Sequence, residues 1–146
     1  MLIKHIDDDG LLDFYLKGNS RLHKIKLDYV NKIITTDLSG KLDADDLILY
    51  YHDLWNLFHR FHPKECAFIG TISKLDPLSQ ESAGHFKQII ELCLARAKKI
   101  AIVHGNRTVT RMQMQRLEEE VRKEFFSEIQ IMRFVNHHSA IKYILK

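Results

Sequence analysis

Two short stretches carry most of the chemistry that this sequence offers: Asp76, Ser79 and Ser82 in one, and His104, Asn106, Arg107 and Arg111 in the other. The second stretch follows KKIAIVHG (98–105), an apolar, β-branched run entered by two lysines and left by His-Gly-Asn. Such a run reads as a short strand buried on both faces, in the middle of a sheet flanked by helices. His104, Asn106, Arg107 and Thr108 then stand at the carboxyl end of that strand and at the start of a helix. Ligands of open α/β sheets bind at that edge, and helix N-termini favour anions. Arg107 and Arg111 add charge-assisted bonds to a phosphate or carboxylate. Asp76 and Ser79 follow the preceding strand and open onto the same edge. The set suits a small anion, a phosphoserine partner or a lipid head group. Its plainer alternative is a polar loop with ordinary helix caps.

Other chemistries are thinly supported. Ser79 with His104 can be written as a dyad oriented by Asp76, which makes a small hydrolase an alternative reading. No G-x-S-x-G supports it, and no Walker or G-x-G-x-x-G motif points to nucleotide chemistry. No catalytic residue and no cofactor is therefore assigned. His59, His62 and Cys66 form H-x-x-H-x-x-x-C, whose side chains all bind zinc. Glu65 or His52 would have to complete the set, and Pro63 breaks the geometry after His62. Helix-end packing and surface histidines explain the spacing, and no metal is expected. The adjacent His137 and His138 point apart on a helix and read as surface groups. Arg111, Gln113, Gln115 and Arg116 are suited to base contacts, but Glu118, Glu119 and Glu120 follow on the same helix and repel phosphate. No nucleic acid partner is expected.

Size and composition bound the rest. A chain of 146 residues fits one domain over 1–146, with a core large enough to fold unaided. Hydrophobic content of 45% and charged content of 28% are ordinary for a soluble globular protein. Six glycines and two prolines leave little linker material. Apolar runs fall far short of the roughly 18 residues that a membrane span needs. The start, MLIKHIDDDG, is acidic where a signal peptide is basic, so a cytoplasmic location is expected. Cys66 and Cys93 lie in apolar elements and read as buried free thiols. The net charge of +3 is too mild to imply a polyanionic partner.

The elements that position these residues follow in order. Residues 2–6 and 11–16 read as an N-terminal β-hairpin, turned at 7–10 and closed by Gly18-Asn19. HKIKLDYV (23–30) fits either a strand or a helical turn, and 31–39 reads as a strand. A helix over 43–61 starts at Asp43 as N-cap and stops at Pro63, with Leu47, Ile48, Tyr51, Leu54, Trp55 and Phe58 inward. Asp53, Asn56 and Arg60 lie opposite. Residues 66–72 form the next strand. Asp76-Pro77 is a helix start, with Ser79 and Ser82 as a competing cap, and the helix runs to about residue 97. After the 98–105 strand, a third helix over 109–125 has Met112, Leu117, Val121 and Phe125 inward. A strand over 129–134 and a helix capped by Asn136 end the chain, with Ala140, Ile141, Ile144 and Leu145 inward. The order predicted is β-β-β-α-β-α-β-α-β-α, parallel from residue 31 onward.

IITTDLSGKLDADDL (33–47), KKIAIVHG (98–105) and IMRFVNHHSAIKYIL (131–145) give this order a family likeness. They resemble STAS-like domains of the bacterial anti-sigma-factor-antagonist-like (SpoIIAA-like) group, whose ending Phe134, Ala140, Tyr143 and Ile144 match. The resemblance covers about 30–146 and does not reach the residues before Asn31. It implies an α/β fold: a mixed, mainly parallel sheet flanked by helices. It also implies a non-enzymatic signalling or adaptor module that binds a protein partner and is gated by phosphorylation. The group's phosphorylated serine lies in a motif like Asp-Ser-Ser-Gly. Here Glu81-Ser82-Ala83-Gly84 keeps only Ser82 and Gly84, and Ser79 is the other candidate. A sister group of lipid-transfer domains makes a lipid- or small-anion-binding, membrane-associating module the alternative. Tyr50, Leu57, Phe61 and the apolar residues of 1–30 exceed what a small sheet obviously covers, which suggests a homodimer.

Overall fold

The computed structural model describes residues 22–146 in full, together with the backbone of two strands before them. The elements are β1 (Leu2–Ile6), β2 (Leu11–Leu16), β3 (His23–Asp28), β4 (Ile33–Gly40), α1 (Ala44–Phe58), β5 (Cys66–Leu75), α2 (Gln80–Arg96), β6 (Ala97–Val103), α3 (Thr108–Glu124), β7 (Ile131–Phe134) and α4 (His137–Leu145). The strands form one sheet in sequence order, antiparallel from β1 to β4 and parallel from β4 to β7. The N-terminal hairpin and the mixed α/β sheet, parallel from β4 onward, match expectation. The turns expected at 7–10 and at Gly18-Asn19 lie outside the described residues.

The ambiguous HKIKLDYV segment is strand β3. His23, Ile25 and Leu27 are buried while Lys24 and Lys26 are exposed, the period-two pattern of a sheet with unlike faces. Four strands therefore precede α1, rather than three. The 98–105 strand is not central either: β6 lies between β5 and the edge strand β7. It is nevertheless covered on both sides. Ile100 packs with α1, α2 and α3, whereas Ala101 and Val103 pack under α4.

Sequential order has a consequence for the layers. Each β-α-β crossover joins neighbouring parallel strands with the same hand, so α1, α2 and α3 fall on one face. Their inward residues share a single core with β3–β6. Only α4 packs on the other face, where Ala140 and Ile144 meet Ile33, Ala67, Ile69, Ala101 and Val103.

Helix starts follow their caps. Asp43 accepts from the Asp46 amide (2.8 Å) and Asp46 accepts from the Asp43 amide (2.9 Å), which satisfies two orphan donors at the start of α1. Asn136 accepts from the Ser139 amide (2.9 Å) and starts α4. At α2 the serine cap prevails over Asp76-Pro77: Ser79 accepts from the Ser82 amide (3.1 Å).

The inward face of α1 differs from the periodicity reading. Leu47, Tyr50, Leu54, Leu57 and Phe58 are buried, whereas Ile48 and Trp55 are 40% and 42% exposed. The helix ends at Phe58, five residues before Pro63, with the His59 amide donating to the Trp55 carbonyl. Tyr50 and Leu57 are thus core residues. Phe61 packs against the core and tilts against Tyr29. Of the apolar surplus that pointed to a second subunit, these three residues are taken up by the core, and the side chains of residues 1–21 lie outside the described residues. Asp53, expected to face solvent, is half-buried and accepts from Nε2 of the buried His23 at 2.8 Å. In α3, Met112 is exposed and Thr110, Met114, Leu117 and Val121 turn inward. In α4, Leu145 is exposed.

Candidate binding edge

The β5–α2 connection and the β6–α3 connection meet at the carboxyl edge of the parallel strands. Asp76 and Arg107 pair there, Arg107 NH1 donating to Oδ1 at 3.1 Å. Arg107 Nε also donates to the Ser73 carbonyl at 3.2 Å. Gly105 makes this approach possible. Its φ is +57°, and a Cβ at that position would lie 2.9 Å from the Ser73 Cβ. Only glycine accepts both the left-handed backbone and the contact without strain.

Two residues of α3 clamp the β5–α2 connection from below. The Thr110 hydroxyl donates to the Leu75 carbonyl (2.9 Å). The Gln113 amide group brackets Leu78, accepting from its N–H and donating to its carbonyl, both at 2.8 Å. Gln113, one of the residues suited to base contacts, instead engages this loop, and no motif marks Thr110. Their i, i+3 spacing is the one signal that places both on one helix face.

The structure separates the predicted residues. Asp76, Ser79 and Arg107 share the edge. Ser79 is exposed, with its oxygen engaged as the α2 cap. Ser82 is not on the surface. It is 1% exposed, and its hydroxyl donates to the Leu42 carbonyl at 3.0 Å. An enzyme that modifies serine cannot reach that oxygen without opening α2, so Ser82 leaves the list of accessible candidates. His104 turns onto its own loop, Nδ1 donating to the Gly105 carbonyl at 2.9 Å, and Asn106 is exposed. Among the described residues, no hydrogen bond joins Ser79 to His104 or His104 to Asp76. The dyad geometry is thus not formed, and each member is held by a different partner.

Arg111 lies away from this edge. It lines the mouth of an apolar gap between α2, α3 and the sheet, beside Glu118 and Arg133. Glu118 holds both Arg122 (3.1 Å) and Arg133, closing one side of the mouth with an ion-pair network. This gap and one deeper cavity, about 50 Å³ each, share Ile72, Phe86, Ile90, Ile102 and Ile131 as walls, and the deeper one reaches Gly70 and Tyr50. The Tyr50 hydroxyl shares a 2.7 Å hydrogen bond with Thr36, and burial pushes its ionisation well above the ordinary phenol range.

The expected thiols are free and buried. Burial, with a smaller contribution from Glu65, pushes Cys66 up to about 11, and burial alone pushes Cys93 higher still. Neither is poised as a nucleophile, which needs a depressed value. His59 stacks on Trp55, ring centroids 3.7 Å apart, and its Nδ1 donates to the Trp55 carbonyl at 2.9 Å. Among the described residues, no three His, Cys, Asp or Glu side chains are close enough to hold a metal ion. No helix among them is long and apolar enough to cross a membrane.

Apolar side chains complete the edge. Val109 and Met112, three apart on the first turns of α3, are 66% and 59% exposed beside Arg107.

No family model matches the sequence, and no curated protein matches it. One solved structure does match the fold. It is the crystal structure of an uncharacterised protein of the DUF3478 family, with a SpoIIAA-like fold, from Shewanella loihica PV-4. The two superpose with a TM-score of 0.57 at 17% sequence identity, covering 99% of this chain and 92% of that one. The chain has the STAS-like, SpoIIAA-like fold. The likeness reaches beyond residues 30–146 to take in the N-terminal strands, which the sequence motifs did not.

Proposed function

We propose that this protein is a non-enzymatic adaptor module that binds a protein partner at the carboxyl edge, around residues 73–79 and 104–112. The observation that carries this reading is the state of the polar groups there. Arg107 crosses to Asp76 and Ser73 on the neighbouring connection, Ser79 caps its own helix and His104 bonds its own loop, so these groups do not converge on a space where a substrate could react. Val109 and Met112 stand exposed beside them. An apolar pair rimmed by a salt bridge and a cap has the composition of a small protein–protein contact. The fold's likeness to signalling domains agrees with recognition rather than turnover. Buried free thiols at Cys66 and Cys93 suit a reducing compartment such as the cytoplasm.

Ser79 is the phosphorylation candidate of this reading. A phosphate on it sits at the positive end of α2, where a negative charge is favoured, and competes with Asp76 for Arg107. The domain keeps its fold while the edge changes charge. Photo-crosslinking from position 109 or 112 in the native host tests the reading. A covalent adduct to one protein, absent from a crosslinker at Phe126 and lost in Arg107→Glu, supports it. Equal labelling from both positions overturns it.

A further inference from the structure

The face opposite α1–α3 is only partly covered. Its one helix, α4, packs on β5, β6 and β7. Beside the start of α4, over β3 and β4, lies a groove of about 530 Å³. Its polar groups are Lys24 and Lys26 from β3, Thr35 and Asp37 from β4, and Thr71 from β5, with His137 of α4 at the wall, and Ile33 and Ile141 are its apolar lining.

Asp37 is the anomaly in this groove. Its Oδ1 is buried and has no hydrogen-bond partner among the described residues. Lys24 is its register partner across the β3–β4 ladder, yet no ion pair joins them among the described residues. Buried carboxylate oxygens are almost always met by a donor, because desolvation without one is costly. The other carboxylate of the groove is already engaged. Asp28 accepts from the amides of Val30 (3.0 Å) and Asn31 (3.1 Å) and from Asn31 Nδ2 (2.9 Å). Asp37 therefore remains as the acceptor. Directly after the Asp37–Thr71 pair the β4–β5 register slips, so that Ser39 faces Lys74. Irregularities of this kind re-aim side chains and gather next to functional sites.

We propose that this groove binds a small organic anion that also carries hydroxyl donors, such as a phosphorylated or carboxylated polyol. Its hydroxyls donate to Asp37, and its anionic group lies between Lys24 and Lys26 on β3. Thr35 and Thr71 supply hydroxyls that donate or accept. A neutral polyol lacks the charge that the lysines match. A proton-free anion such as sulfate lacks the donor that Asp37 requires. The site is separate from the carboxyl-edge surface and stands or falls independently of it.

The test is a titration of the full chain followed by amide NMR, with glycerol 3-phosphate, sulfate and glycerol as probes. Glycerol 3-phosphate is expected to move the signals of Thr35, Asp37, Thr71 and His137 saturably, and to bind at least roughly tenfold more tightly than sulfate or glycerol. Asp37→Asn and, separately, Lys24→Ala are each expected to weaken it by roughly tenfold. Lys24 is exposed on the strand, so its variant keeps the fold if the position 37 variant does not. Either of two results overturns the proposal. One is the absence of a saturable shift at these residues with glycerol 3-phosphate. The other is sulfate binding as tightly as glycerol 3-phosphate in the native protein.

Discussion

The two faces of the sheet are built from the same strands and do different work. One face buries Ile25, Leu27, Ile34, Leu38, Phe68 and Ile72 under three helices. The other carries Lys24, Lys26, Thr35 and Asp37 and has one nine-residue helix for cover. Within β4 the two sides differ after Ile33, which is buried under α4: Ile34, Thr36 and Leu38 are buried, while Thr35 and Asp37 are half-buried on the other side. The difference teaches where binding chemistry can be placed. A face closed by three crossovers is largely apolar and admits polar groups as partnered pairs such as Thr36 with Tyr50 and His23 with Asp53, whereas polar groups free to meet a ligand gather on the open face and at the rim.

The largest expected effect tests the closed face. Leu54→Ala removes a fully buried side chain from α1 and is expected to cost about 2–5 kcal/mol in chemical denaturation. On the open face Lys26→Ala should change stability by no more than about 0.5 kcal/mol. Equal losses at the two positions would break the contrast.

Gly105→Ala probes the rim between the faces. The positive φ and the 2.9 Å approach to Ser73 make a cost of about 1–3 kcal/mol the expected result of the same measurement. Arg107→Ala, at the neighbouring exposed ion pair, is expected to cost less than about 1 kcal/mol while still disrupting the edge.

Alkaline pH probes the closed face through its buried thiol. Cys66 holds its proton more tightly folded (about 11) than in an ordinary environment (9.0). The folded state therefore binds more protons than the unfolded chain once the pH passes 9, and stability falls as pH rises from there towards 11. Denaturation midpoints at successive pH values check this, and Cys66→Ser should flatten the slope. At neutral pH both thiols are expected to react with a thiol reagent only after unfolding.

The smallest effect concerns α4. Cover by a short, terminal helix predicts that its amides exchange with solvent by local opening, faster than those of α1, which require global unfolding. Equal protection in the two helices would mean that the faces form one cooperative unit.

Particular residues show how far the sequence could be read. Asp43 and Asn136 announced their helices because a cap acts within one turn and needs no tertiary partner. At α2 two caps competed: Ser79 caps the helix, while Asp76 is engaged by Arg107 from another loop, a partner that no local signal reveals. The face of α1 misled because apolar residues surround the helix; which of them is inward depends on the angle at which the sheet receives it, so Tyr50 and Leu57 entered the core and Ile48 and Trp55 did not. The edge was found by motif and position, but Ser82 was lost to the core and Arg111 to a different mouth.

Local chemistry along the chain thus determined the elements, most of their ends, the parallel β-α-β series and the SpoIIAA-like resemblance. Those properties depend on dihedral preference, capping and hydrophobic period, all of which act over a few residues. Tertiary structure alone decided the strand order, the separation of the two faces, the partners of Asp76 and His104, and the exposure of Asp37 to a groove. These depend on contacts between residues tens of positions apart, where packing of whole elements overrides any local signal.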